Sequence, residues 1–310
     1  MIRLSGFADE AANGIDGQIE ATRSLGWPCI EARSIDGVNI HDIPDAEFET
    51  VRAKLDAAGI RVNCFGSTIA NWNKSIDEPF AGTLAAVERA IRRMRALEAP
   101  LVRIMSYAIL CDASGRALAD QKKEERFRRL REICGRFLDA GITPIHENCM
   151  NYGGMSWEHS LEMLSAVPGL KLVYDTGNPG ITPDFRKSFP YPNQDARECY
   201  EKLRDHVVHV HVKDGVRDPA SGEERYFFPD EGVCGVAGVV EDLLVTGYAG
   251  DFSIEPHMAV VFHDESVSAS AEARFDNYLE YGRRFQRILE AASRKSEGRS
   301  KHVEVPDNRG

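Results

Sequence analysis

VVHVHVKD, residues 207–214, reads as a short buried strand in which valines alternate with His209 and His211 and which ends in Lys213 and Asp214. Three further segments share its grammar, an apolar core with a titratable residue at the C-terminal end: ITPIHEN at 142–148, LKLVYDTGN at 170–178 and DFSIEPH at 251–257. In chain order the four offer Glu147, Asp175, His211 and Glu255. A carboxylate that ends an apolar strand is costly unless it is paired, hydrogen-bonded or bound to a cation. A helix cap or an arginine accounts for one such acid, but four strand ends in succession need a common cause. A donor set rich in carboxylate with one imidazole suits a divalent ion of the manganese, cobalt, magnesium or zinc kind.

Outward from these segments the same alternation repeats. Strand candidates lie near 2–7, 28–33, 61–67, 101–106, 142–147, 170–175, 207–213 and 251–256. Helical patterns lie between and after them, near 14–26, 45–59, 80–98, 118–140, 157–167, 195–206, 236–247 and 270–293. Strands alternating with amphipathic helices predict βα units on a parallel sheet. Eight of each predict a single α/β domain, a (β/α)8 TIM barrel over 1–293, with its active site at the C-terminal ends of the strands. The polar run from Ser293 is expected to form a flexible C-terminal tail over 294–310. Asp45 is placed to cap a helix that Gly59 closes, and DAGIT at 139–143 and TGYAGDF at 246–252 put glycine between helix and strand. Two long connections, 67–80 and 214–236, follow strands and are expected to act as lids over a substrate.

Composition narrows the function. With 43% hydrophobic and 28% charged residues over 310 positions, the chain is an ordinary globular protein. Its 38 basic residues against 49 acidic ones give a net charge of −11, and no basic run lies beside aromatics, which argues against nucleic acid. No window approaches the roughly 20 apolar residues of a membrane span. The opening MIRLSGFADEA lacks the basic and apolar regions of a secretory signal. Seven scattered cysteines without a CxxC pair point to a reducing cytoplasm, and Cys149 reads as a small buried hydrophobe rather than a nucleophile.

In a barrel, strands five to eight are neighbours, so Glu147, Asp175, His211 and Glu255 converge above the mouth. Period two puts His209 and His211 on one side of their strand, with His211 nearer its end as the donor and His209 a layer deeper in the core. His146 alternates with Glu147 and faces the other way, as a structural residue.

On the Glu of HEN, the Asp of DTGN, the His of HVKD and the Glu of IEPH, and over the eight units from GFADEA to about residue 290, the chain resembles the xylose isomerase-like, or sugar phosphate isomerase/epimerase, superfamily of metal-dependent TIM barrels. The resemblance implies one divalent ion, manganese first and cobalt, magnesium or zinc as alternatives, on Glu147, Asp175, His211 and Glu255. It implies a small-molecule sugar or polyol substrate and a homo-oligomer. The ketose 3-epimerase branch carries an arginine six residues after the metal histidine, where Arg217 stands. It usually carries a histidine three residues after the metal aspartate, where this chain has Asn178, which bonds a hydroxyl but does not titrate near neutrality.

The expected activity is that of a metal-dependent isomerase or epimerase, moving a proton beside a carbonyl through an enediolate, with Glu147 and Glu255 as acid and base as well as ligands. Lys213 is expected to place a positive charge near substrate oxygens or to pair with Asp214, rather than to form a Schiff base. Arg33 and Arg103 are expected either to line the sugar site or to form rim salt bridges, with Asn63, Trp72, Glu231 and His257 as lesser candidates. No Arg/Lys cluster or Gly-rich helix start marks a phosphate site, so the substrate is expected to be unphosphorylated. The rival activities are a lyase of the inosose dehydratase type and 3-keto-glycoside cleavage. A phosphodiesterase like the superfamily's endonuclease branch would want more histidine ligands and a basic track. A non-catalytic sugar-binding subunit would bind without proton exchange at carbon.

Overall fold

The computed structural model describes residues 2–261 and 269–303, with side chains to residue 296. Its eight core strands are β1 (Leu4–Gly6), β2 (Cys29–Ala32), β3 (Arg61–Gly66), β4 (Leu101–Ile104), β5 (Thr143–Glu147), β6 (Lys171–Asp175), β7 (Val207–Val212) and β8 (Asp251–Ile254). They pair in the order β1-β8-β7-β6-β5-β4-β3-β2, every pair parallel, and β1 lies beside β2 across the remaining seam. The helices are α1 (Ile15–Ser24), α2 (Asp45–Ala58), α3 (Phe80–Ala96), α4 (Lys123–Asp139), α5 (Trp157–Ala166), α6 (Ala196–Leu203), α7 (Val236–Val245) and α8 (Ala271–Val303). This is the expected nearly closed (β/α)8 barrel, and among the described residues no helix is long and apolar enough to cross a membrane.

The period of two sorts side chains between two cores. Cys64, Ile145 and Val173 point inward and pack together inside the barrel, whereas the larger apolar cluster fills the layer between strands and helices. The barrel floor is polar: Asn63 Nδ2 donates to Ser5 Oγ (2.9 Å) and Asp251 Oδ2 (3.1 Å), and Arg3 clamps Asp251 from outside. Asn63 therefore sits at the end of the barrel opposite the strand C-termini.

Three boundaries differ from expectation. Asp45 is the first residue of α2 rather than its cap, and its carboxylate pairs with Arg93 (2.9 Å), while Gly59 closes the helix at φ 67° as expected. α4 starts at Lys123 rather than 118, because Lys122 adopts φ 52° and Gln121 is bonded through its amide to Leu110 at both the N–H and the carbonyl. α8 runs on through the start of the expected tail to Val303, and residues 304–310 lie outside the described residues.

His146 faces outward from β5, as its register requires. Its Nε2 lies 3.1 Å from Ser106 Oγ and 2.9 Å from Asn151 Oδ1, and burial pushes its pKa down to about 4. A histidine depressed in the native state leaves stability intact above its unfolded pKa near 6.5 and loses it as pH falls toward 4, because only the unfolded chain takes up the proton. Between pH 6.5 and 4.5 this group is expected to remove about 2–3 kcal/mol. Urea midpoints of wild type and His146→Gln over that range test it; parallel pH slopes would refute it.

Candidate active site

The strand ends deliver the four sequence-read donors to one place. Glu147 and Asp175 are the last residues of β5 and β6, His211 lies one residue before the end of β7, and Glu255 follows β8. The ladders set Asp175 opposite His211 and His211 opposite Ser253, so these ends lie side by side on the rim. All four residues are buried, and they offer one donor atom each within 4.8 Å of one another.

A ring of cations holds the carboxylates. Arg103 Nη1 donates to Glu147 Oε2 (2.9 Å) and Asn178 Nδ2 to its Oε1 (3.0 Å). Arg33 Nη1 donates to Glu255 Oε1 (2.7 Å), and Lys213 Nζ to its Oε2 (2.8 Å). Lys213 Nζ also lies 3.0 Å from Asp175 Oδ2, as an ion pair without hydrogen-bond geometry. Asp175 Oδ1 accepts the backbone amides of Gly177 (2.8 Å) and Asn178 (2.7 Å). The turn can come this close only because residue 177 is glycine, since a Cβ there would stand 2.8 Å from Lys213 Cγ.

The environment separates the carboxylates. Burial would raise Glu147, but Arg103 and His211 override it and hold the carboxyl at about 2. Glu255 is likewise held well below the carboxylate range, by Lys213, His257 and Arg33 against burial. Asp175 goes the other way, raised to about 7, because burial and the charges of Glu255 and Glu147 outweigh Lys213. Burial pushes the Cys149 thiol well up, in keeping with an inert thiol.

Above the donors lies a cavity of about 430 Å³. Glu147, Glu255, Lys213, Arg33, Arg103 and Asn178 all line it, and Thr68, Asn71, Trp72 and Asn73 from one long connection and Glu224 from the other contribute to its wall. His257 lines it too, its ring Nδ1 3.0 Å from Glu10 Oε1. Arg217 is not among the lining residues: it belongs to a two-stranded hairpin, Gly215–Arg217 with Glu224–Tyr226, and its guanidinium donates to Asn193 Oδ1 (3.2 Å). Glu231 is turned outward to Arg284. Lys213 does not pair with Asp214, whose carboxylate instead accepts the amides of Asp230 (3.1 Å), Gly232 (3.0 Å) and Cys234 (3.1 Å) and so organises the 214–236 connection.

Three acids escaped the sequence reading. Asp9 and Glu10, in the turn after β1, grip Arg33: Asp9 takes its Nε (2.9 Å) and Nη2 (3.0 Å), and Glu10 its Nη2 (3.2 Å). Glu31, on β2, accepts from His209 Nε2 (2.8 Å) and His211 Nε2 (3.1 Å) deep in the barrel. The signal for Glu31 was its register, two residues before Arg33 and on the same face of β2.

The donor set fits a divalent ion. His211 Nδ1 and Asp175 Oδ2 are buried without a hydrogen-bond partner, and Nδ1 stands 3.5 Å from Glu147 Oε1. Buried donor atoms gathered within 4.8 Å of one another, with hydrogen-bonding capacity to spare, suit a cation among them. Three carboxylates and one imidazole match the manganese, cobalt, magnesium or zinc class without choosing among them.

A family model described as a xylose isomerase-like TIM barrel matches residues 19–277. Among curated proteins nothing matches the sequence. Similar solved structures include a xylose isomerase-like TIM barrel protein from Mycobacterium smegmatis in complex with magnesium, 17% identical with a TM-score of 0.65, covering 94% of this chain and 97% of that one. A D-psicose 3-epimerase from Clostridium cellulolyticum H10 is 15% identical with a TM-score of 0.66, over 93% and 99% of the two chains. A probable 3-DHS dehydratase from Bacillus anthracis is 16% identical with a TM-score of 0.65, over 92% and 99%.

Proposed function

The chain belongs to the xylose isomerase-like TIM barrel family, and from that premise we propose that it is a metal-dependent isomerase or epimerase of a ketose, keto-sugar or polyol. The observation that carries the proposal is that Glu147 and Glu255 belong to the four-donor cluster and also line the cavity above it. Glu147, Asp175, His211 and Glu255 would hold one divalent ion, manganese first, which when bound supplies a Lewis acid beside the substrate's carbonyl.

The side chains do the rest. Arg103 and Asn178 fix both oxygens of Glu147, while Arg33 and Lys213 fix both oxygens of Glu255, so each carboxylate is pre-aimed. Both rest ionised, so either can take the proton from the carbon beside the carbonyl, the C–H electron pair becoming the C=C bond and the carbonyl π pair moving to oxygen to give an enediolate. Returning that proton to the former carbonyl carbon, while the proton of the adjacent hydroxyl passes to the former carbonyl oxygen, gives an isomer. An epimer forms when the other carboxylate, first protonated by a substrate hydroxyl, delivers that proton to the opposite face of the same carbon as the carbonyl re-forms, and the first carboxylate then returns its proton to the hydroxyl oxygen. Asn71, Asn73, Thr68 and Thr182 offer the wall amides and hydroxyls that suit a polyol. The guanidiniums of Arg33 and Arg103 are engaged by carboxylates, which favours a substrate without phosphate.

Incubation with ketoses, 3-keto-sugars and inososes in deuterated water, with each metal supplied, tests the proposal. Deuterium entering carbon without an ultraviolet chromophore supports it. A rising enone absorbance would move the chain to a lyase, the activity in the name of the Bacillus anthracis neighbour. Binding of a sugar with no exchange would leave a non-catalytic binder.

Metal dependence has its own readout. An ion that binds only the folded chain, at a hundredfold excess over its dissociation constant, stabilises it by about 2.7 kcal/mol. For a chain of this size that corresponds to a melting-temperature rise of roughly 4 °C over the chelated protein. A melting curve unmoved by chelator and by all four ions would refute the metal site.

A further inference from the structure

Glu31 lies below the donor cluster and does not line the cavity, yet it joins two histidines of β7 from the far side of the barrel. Its Oε2 takes His209 Nε2 at 2.8 Å and its Oε1 takes His211 Nε2 at 3.1 Å, with all three side chains sealed from solvent. An ionised carboxylate only accepts, so both contacts require the proton on Nε2 of each ring. The consequence for His211 is specific. In the neutral ring that metal ligation requires, Nδ1 is then the atom with the free lone pair, and Nδ1 is the nitrogen that lacks a hydrogen-bond partner and lies 3.5 Å from Glu147 Oε1. The edge of Phe7, 5.0 Å from the His211 ring at 72°, and the His209 ring, 5.4 Å away at 88°, close the remaining space around the imidazole.

We propose that Glu31 is a positioning residue that commits His211 to metal ligation through Nδ1, with His209 holding the second carboxylate oxygen so that Glu31 cannot turn away. The proposal rests on the reading of the four-donor cluster as a metal site. Carboxylates behind ligating histidines fix tautomer and ring orientation, and their loss typically lowers metal affinity by roughly 10–100-fold.

The test is Glu31→Gln. Glutamine keeps the shape but turns an NH2 toward one of the two rings, so one imidazole must change tautomer or lose its bond. Calorimetric titration with manganese is expected to show affinity lowered roughly 10–100-fold, and the cobalt-loaded variant is expected to show an altered visible d–d spectrum. Melting and circular dichroism without added metal check the fold. Should the variant not fold, zinc-loaded wild type labelled with 15N-histidine decides: the resonance lost in His211→Gln must carry its proton on Nε2. An affinity within twofold of wild type with an unchanged cobalt spectrum, or a His211 proton on Nδ1, overturns the proposal and leaves the metal site standing. Wild type that takes up no metal overturns the proposal and the metal reading together.

Discussion

Glu147→Gln is expected to remove solvent-proton exchange at substrate carbon, lowering kcat by at least 10³-fold while leaving the fold in place. Positioned acid/base groups are worth roughly 10²–10⁴ in rate, and Glu147 would serve both as base and as donor to the ion, so the variant loses both roles. Gln is isosteric, and its amide oxygen can still accept from Asn178 Nδ2, which holds Glu147 Oε1 at 3.0 Å. The Arg103 guanidinium loses its ion pair and keeps a contact from Nη2 to the Ser67 carbonyl at 3.3 Å and its place over the Phe7 ring, a stability cost of about 1–3 kcal/mol. Metal content measured beside the kinetics separates the two roles. A variant that retains metal but exchanges no deuterium has lost its base; one that loses metal has lost a ligand. Glu255→Gln, whose carboxylate is held by Arg33 and Lys213, is expected to behave alike if the two carboxylates share the proton transfers. Exchange retained within tenfold in Glu147→Gln would place the base elsewhere and sink the mechanism.

The four donors were legible because strand and chemistry coincide: each is an acid or imidazole at the end of an apolar run, and neighbouring barrel strands bring such ends together. The eight-unit rhythm was legible for a similar reason, since short apolar runs and glycine-closed helices punctuate the chain locally. What escaped depends on packing between distant segments. Glu31 is meaningful only once β2 faces β7 across the barrel, a separation of 180 residues between Glu31 and His211. Asp9 and Glu10 take on meaning only once β2 sets Arg33 beside them. Arg217 was carried over from the resemblance to the ketose 3-epimerase branch by its position after His211, and such a carry-over fails where the chain leaves the strand: the hairpin after β7 carries it to Asn193. Lys213 was better specified than it was read. The period of two that separates His209 from His211 runs one step further and carries Lys213 to the same inner face, whereas Asp214 falls on the other side with the amides of the 214–236 connection.

The largest stability effect is expected away from the candidate active site, at Arg126. This side chain, in the first turn of α4, is fully buried, and no carboxylate takes its charge; burial lowers its guanidinium to about 10, so it stays protonated at neutral pH. Its fork is spent on three backbone carbonyls, Nε to Gln121 (2.5 Å), Nη1 to Ser106 (2.6 Å) and Nη2 to Ala108 (2.8 Å), while its plane lies 5.1 Å from the centre of the Tyr152 ring. These carbonyls belong to the long connection after β4, a stretch with little regular structure of its own in which Tyr107 adopts φ 69°. Arg126→Met keeps the apolar stem and strands all three acceptors. At about 1.5–3 kcal/mol for each bond from a charged donor, offset by no longer burying the charge, the net loss is expected to be about 3–5 kcal/mol. Lysine should not rescue it, because a single ammonium on a flexible stem cannot reproduce a planar fork reaching three separated oxygens. The same connection begins at Met105, which lines the cavity, so the variant that survives is expected to raise KM more than it lowers kcat. Urea unfolding of Arg126→Met and Arg126→Lys provides the measurement, and a loss under about 1 kcal/mol in either would mean that water or a rearranged loop satisfies those carbonyls without the guanidinium.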